Sequence, residues 1–484
     1  MPSICSGAGE GLSFRTQSQP MHRIPALFCL LVTGLLLTQY SCHRPGRPPR
    51  ETNMDTIVDR QAMAAEVKAA FLHAWAGYVK YAWGHDELMP LSRKPHDWNS
   101  HSLLMTPVDG FDTMILMGLR RQADSAKKLI LDSLDFNQDF FVSNFETTIR
   151  ELGGLLSAFE WDGDSGFLRK AVDLAARLAP AFRSPTGMPY RFVNLRTGAT
   201  RDAESNPAEV GTMLLEYGTL TRLTGDPAYY RRAKKALMAL YRRKSSKTGL
   251  VGSGINVRTG HWTGKESSIG GGTDSYYEYL LKSAILFGDS DCRKAWESSL
   301  KSINRWLADT LHGGLWYGHA DMENGKITGT YSGALDAFFA GTLCLGGDLR
   351  DGRALQASNF RMWQLAGIEP ESLNYATMKI LDPVYELRPE NFESCYYLYH
   401  YTHEEQYLRM ARTMFESIQQ YCRTDAGYAA VKDVRNMTLE DTMDSFFLAE
   451  TLKYAYLIFA PENTLDFDGV IFNTEAHPLK RGKG

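Results

Sequence analysis

The sequence predicts an all-α fold, an (α/α)7 barrel in which an outer ring of helices wraps an inner ring. Three observations predict it. One helix-pair theme recurs from about residue 55 to about residue 460. The first helix of each pair is apolar around most of its circumference, whereas the second is amphipathic. Neither end carries a polar capping repeat, which favours a closed ring over an open solenoid.

In each repeat an acidic residue opens an apolar helix, a turn follows, often Gly-Asp, and a more charged helix returns. Phe145 and Glu146 lead through Leu155 and Leu156 to Gly163-Asp164, and Leu168 to Leu178 return. Ala208 and Glu209 lead through Leu220 to Gly225-Asp226, and Tyr229 to Leu240 return. Thr273 and Asp274 lead through Leu281 to Gly288-Asp289, and Cys292 to Leu307 return. Further copies begin near Asp109, Asp336, Glu390 and Asp444, which makes seven, mostly about 50 to 65 residues apart. An acid near a helix N-terminus has an ordinary explanation, because that end favours negative charge. Seven parallel inner helices, however, aim all of their acids at one end of the barrel. Gathering them around one cavity is costly unless a metal ion, or a polyhydroxylated substrate with acid/base chemistry, needs them.

The domain reading is a leader over residues 1–42, a flexible tether over 43–60 and one catalytic barrel over 61–480. The hydrophobic fraction of 44% and charged fraction of 23% are those of a soluble domain. A net charge of -3 gives no reason to expect nucleic acid as a partner. Residues 26–37 form a short apolar run after Met21, His22 and Arg23, in the manner of a secretory signal. Cys42 follows Tyr40 and Ser41, as at a bacterial lipoprotein cleavage site; a plain signal peptide or a signal anchor competes with that reading. The expected location is the periplasm or the outer membrane, with attachment through a lipidated Cys42; the alternative is a type II membrane protein of the secretory pathway. Of seven cysteines, Cys292, Cys344, Cys395 and Cys422 fall in the barrel and leave one, two or no disulfides open.

Long motifs carry a family likeness. His73-Ala74-Trp75 precedes Tyr81-Ala82-Trp83-Gly84-His85-Asp86-Glu87-Leu88. Phe145-Glu146-Thr147-Thr148-Ile149-Arg150 runs into Leu152-Gly153-Gly154-Leu155-Leu156. Asp274-Ser275-Tyr276-Tyr277-Glu278 and Leu387-Arg388-Pro389-Glu390 follow, with Glu393-Ser394. Ser445-Phe446-Phe447-Leu448-Ala449-Glu450 and Phe472-Asn473-Thr474-Glu475-Ala476-His477-Pro478 close the set. In these words the chain resembles glycoside hydrolase family 47, the class I α-1,2-mannosidases, from about Phe71 to Leu479, and the leader suggests a bacterial member.

The resemblance implies an inverting, calcium-dependent exo-α-1,2-mannosidase acting on high-mannose oligosaccharides or N-glycans, expected as a monomer. A non-catalytic mannose-binding barrel is the alternative, and the presence of Glu146, Asp274 and Glu390 together argues against it. An inverting glycosidase needs an acid on the leaving oxygen and a base on water, about 6.5–9.5 Å apart. By resemblance Glu146 is the acid, acting directly or through a water, Glu390 is the best match for the base, and Asp274 is the other essential acid and a rival for these roles. Arg150, one turn after Glu146 on the same face, is expected to tune that carboxyl group or to hold the sugar, and Arg388 to contact substrate hydroxyls. Glu209, Glu393 and Glu450 match acids that line the sugar site and hold waters on calcium. Phe446 matches an aromatic under the mannose ring; from sequence alone it reads as core. Thr474 matches the residue that binds Ca2+ through its hydroxyl and its carbonyl. Glu216 and Glu278 are read as structural partners of buried groups, and His85 and His477 as packed or capping. Two departures bear on specificity. Ala334 and Ala337 stand where many members carry a His and a Cys, with Asp336 offered as a substitute polar group. Gly272 stands where some members carry an Arg.

Overall fold

The computed structural model describes residues 57–482. The leader 1–42 with Cys42, and tether residues 43–56, lie outside the described residues. The first helix is Arg60–Tyr81, capped where the Asp59 carboxylate accepts from the Ala62 N–H. Seven outer helices stand among the described residues: Arg60–Tyr81, Arg120–Ser133, Ser165–Leu178, Pro227–Tyr241, Ser290–Trp306, Leu349–Gln364 and Glu405–Tyr421. Between them run the inner stretches, which end in Phe111–Leu116, Gly153–Asp162, Leu214–Thr224, Asp274–Phe287, Phe338–Leu345, Glu390–Thr402 and Leu452–Phe459. The last inner stretch packs on the first, so the ring closes as an (α/α)7 barrel.

The two rings differ in burial as their sequences require. Inner helix Asp274–Phe287 buries every residue from Ser275 to Ala284. Outer helix Ser290–Trp306 buries a stripe of Cys292, Ala295, Trp296, Ser299 and Ile303, spaced three or four apart. The Gly-Asp turns join inner helices to outer ones. Asp164, Asp226, Asp289 and Asp348 cap the outer helices through their carboxylates.

At the other end, the connections that lead back to the inner helices are longer and carry short antiparallel strands. Phe141–Ser143, Phe192–Asn194 and Thr200–Arg201 form one such sheet. An all-α reading omits these strands, because two to four residues are too few for alternation to register. One further hairpin pairs Val470–Phe472 with Pro478–Lys480. Its tip is surrounded by inner helices.

Two inner helices contain π-helical stretches, Thr147–Leu152 and Phe447–Thr451. The wider turn re-aims the side chains that follow it. The four cysteines among the described residues are buried and unpaired, which settles the disulfide question for them.

Candidate active site

The N-terminal ends of the inner helices converge on a cavity of about 310 Å³. Its wall brings together Glu146, Arg150, Glu209, Asp274, Arg388, Glu390, Phe446, Glu450 and Thr474. Of the predicted site residues Glu393 is set back: it lies one turn beyond Glu390 on the same helix, 3.6 Å from Lys282. A second cavity of about 330 Å³ opens beside Tyr399 and His400, at the far end of the helix that Glu390 starts. It gathers none of the predicted acids.

Helix starts place the carboxylates. Glu390 and Asp274 are the first residues of their helices. Glu209 lies in the first turn of Pro207–Gly211, where its N–H donates to the Asn206 side chain at 2.9 Å. Its carboxylate accepts from Ser205 Oγ at 2.8 Å and pairs with Arg191 at 2.8 Å. Glu146 follows Ser143, whose hydroxyl accepts from the Glu146 N–H. The π stretches carry Arg150 and Glu450.

Two arginines flank Phe446, with guanidinium carbons 5.7 Å (Arg150) and 5.8 Å (Arg388) from its ring centre. Arg150 Nε donates to Glu146 at 3.0 Å, and its Nη1 contacts Glu475. Burial opposes the Arg150 charge, yet Glu475, Glu146 and Asp109 outweigh it and hold the guanidinium firmly protonated. Arg388 grips Glu371 with two hydrogen bonds of 2.9 and 3.1 Å and also contacts Glu386. That fork fixes its plane.

The acids crowd one another. Burial raises Glu390 to about 8, with Arg388 opposing the shift. One Glu390 carboxylate oxygen is buried without a hydrogen-bond partner. Asp274 is raised to about 7 by burial, against the Ser275 N–H that donates to it at 2.8 Å. Glu450 is raised by burial and by the neighbouring Glu475 and Glu390. The cavity therefore gathers more acidic groups than its arginines can pair, and burial favours their protonated forms.

The hairpin tip forms the floor. Asn473 Nδ2 donates to the Ile149 carbonyl and to Glu216, both at 2.9 Å. Its Oδ1 accepts from the N–H groups of Glu475 and His477 at 3.0 and 2.8 Å. Gly153 makes this approach feasible, since a Cβ there would sit 2.6 Å from Asn473 Nδ2. Thr474, at the turn, is the tip residue that remains partly exposed to the cavity.

Glu216 accepts from Tyr279 Oη at 2.6 Å, and Glu278 pairs with buried Lys282, so both serve the packing as predicted. His85 lies against Asp97 at 2.8 Å. His477 is buried between Asp112 at 2.7 Å and Asp109 at 3.2 Å. Burial alone would lower its pKa, but the two aspartates raise it to about 9. The unfolded value is about 6.5. The resulting stabilisation, on the order of 3 kcal/mol, is therefore complete below about pH 6.5 and lost as pH rises through about 9. Calorimetry of metal-free protein should show a melting temperature that falls over this window, with a shallower fall in His477→Gln. An identical slope in the variant would refute the assignment.

Asp336 does not supply the substitute polar group at the cavity wall. Its carboxylate turns to Ser332 Oγ at 3.2 Å and against Gly270, and Leu335 takes the place on the wall. Gly272 lines the cavity with φ +84°, and the nearest atoms to a Cβ there, on Asn206, stand 3.6 Å away. Sequence reasoning named Asp109 only as the start of a repeat and gave no role to Glu475. Glu475 adjoins Thr474 in the same motif, which was the available signal; the Asp109 contact with Arg150, at 3.6 Å, had none.

The family model described as Glycosyl hydrolase family 47 matches residues 70–481. The mouse protein named ER degradation-enhancing alpha-mannosidase-like protein 2 is 36% identical over 93% of this chain and 82% of its own length. Human mannosyl-oligosaccharide 1,2-alpha-mannosidase IB is 36% identical over 86% of this chain and 69% of its own length. Among solved structures, the alpha-1,2-mannosidase from Trichoderma reesei superposes with a TM-score of 0.81 at 30% identity, covering 87% of this chain and 99% of that one. All three sources are eukaryotic and lend no support to a bacterial origin. They overturn the expected periplasmic or outer-membrane lipoprotein location, which rested on leader residues outside the described set. No helix among the described residues is long and apolar enough to cross a membrane.

Proposed function

The chain belongs to glycosyl hydrolase family 47, and from that premise we propose that it hydrolyses terminal α-1,2-linked mannose from high-mannose oligosaccharides with inversion. The observation that carries the proposal is the convergence of Glu146, Asp274 and Glu390, from three separate inner helices, on one cavity. The hairpin tip closes the cavity floor, which suits a chain end and supports exo action. The endoplasmic-reticulum name of the mouse relative supports the secretory pathway as the setting.

In this mechanism Glu146 gives a proton to the glycosidic oxygen. Arg150 orients the Glu146 carboxyl and, after transfer, stabilises its carboxylate. Glu390 takes a proton from the attacking water on the opposite face of the ring, with Asp274 as a further acid beside it. Phe446 supplies an apolar face for the sugar, and Arg388 and Glu209 hold its hydroxyls.

Calcium fits the residues present. Among the described residues no group of three or more His, Cys, Asp or Glu is placed to ligate a metal directly. Thr474 would hold the ion through its hydroxyl and carbonyl, while Glu450, Glu390 and the recessed Glu393 hold its waters, an all-oxygen set that suits calcium. The orphaned Glu390 oxygen and the mutual repulsion of the acids support a cation there. When bound, calcium would supply coordination to sugar hydroxyls and favour the ionised forms of the acids around it.

Digestion of Man-α-1,2-Man-OMe followed by proton NMR tests linkage and stereochemistry together. β-Mannose should appear first and then mutarotate. Initial release of α-mannose would remove Glu390 from the base role, and preference for α-1,3 or α-1,6 linkages would remove the linkage.

A further inference from the structure

Behind the cavity floor a buried chain of ions ties the hairpin tip to the inner ring. Lys453, on the inner helix Leu452–Phe459, is fully buried. Its ammonium donates to the Ala476 carbonyl at 2.6 Å and pairs with Asp112 at 2.6 Å. Asp112 also holds His477, and His477 faces Asp109. Asp109 lies 3.6 Å from Arg150, which holds Glu475 and Glu146.

Ala476 has φ +56°, a left-handed conformation that a residue with a Cβ adopts only when its surroundings impose it. A buried ammonium is itself costly unless well paired. The two costs meet in one hydrogen bond, Lys453 Nζ to Ala476 O. The geometry points to Lys453 as a positioning residue: by clamping the Ala476 carbonyl against Asp112 it holds the tip in the conformation that sets Thr474 on the cavity floor and Glu475 on Arg150. Lys453 does not line the cavity and acts through these residues. The part of this role that concerns metal rests on the calcium reading above; the conformational part stands apart from it.

The test compares wild type with Lys453→Met in the full chain, with and without calcium. In metal-free protein, the Glu475 and His477 amides should exchange about tenfold faster or more, while the Val470–Phe472 ladder and the inner helices keep their protection. Calcium affinity by titration calorimetry should weaken by about 10- to 100-fold, as for other outer partners of metal sites. A lysine that merely stabilised the core would speed exchange throughout. Uniform acceleration, or wild-type exchange together with wild-type affinity, would overturn the proposal. Should wild type take up no calcium, the metal reading falls and tip exchange alone decides on Lys453. Should Lys453→Met not fold, Lys453→Gln, which removes the ammonium and leaves the Asp112–His477 pair in place, is read in the same way.

Discussion

Glu146→Gln should lower kcat on the α-1,2 disaccharide by about a hundredfold to ten-thousandfold, the usual contribution of a general acid. The amide keeps the shape of the side chain and can still accept from Arg150 Nε, which now stands 3.0 Å from the carboxylate. Binding should therefore survive, with KM changed little, because the lost interaction exists only in the transition state. Titration calorimetry with the disaccharide checks the binding, and initial rates check kcat. A substrate whose leaving group needs no proton sharpens the result. On α-mannosyl fluoride the variant should recover most of its rate, whereas Glu390→Gln should stay slow because water activation is still required. Unchanged turnover of the disaccharide by Glu146→Gln would end the acid assignment.

Thr474→Ala should abolish both calcium binding and calcium-dependent turnover, and Thr474→Ser should retain both. The carbonyl ligand persists in every variant, so the contrast isolates the hydroxyl. At calcium a hundredfold above its Kd, binding adds about 2.7 kcal/mol to stability. Wild type should accordingly melt a few degrees higher in calcium than in EDTA, and Thr474→Ala should melt alike in both. A calcium-dependent shift that survives in Thr474→Ala would move the metal elsewhere.

The helix-pair period and the acids at inner helix starts were legible because both follow from local patterns. Asp274 and Glu390 do begin their helices. Phe446 was legible through likeness alone, since burial in Phe-Phe-Leu looks the same whether a ring faces core or cavity. Three features had no local signature. The π turns at Thr147–Leu152 and Phe447–Thr451 leave the hydrophobic pattern of their helices intact, yet they carry Arg150 and Glu450. The withdrawal of Asp336 depends on a space beside Gly270 made by a distant segment. The ionic partners of His477 lie 365 and 368 positions away in the chain. Local reading thus located the acids at the helix starts; contacts between remote segments decide which of them line the cavity.

The floor-forming hairpin, Val470–Phe472 with Pro478–Lys480, follows every helix of both rings in chain order. A chain cut before residue 470 would keep the residues of both helix rings and lose Asn473, Thr474 and Glu475 at one stroke. Three residues of the cavity floor thus depend on one short segment, and a cut ahead of it would remove all of them together.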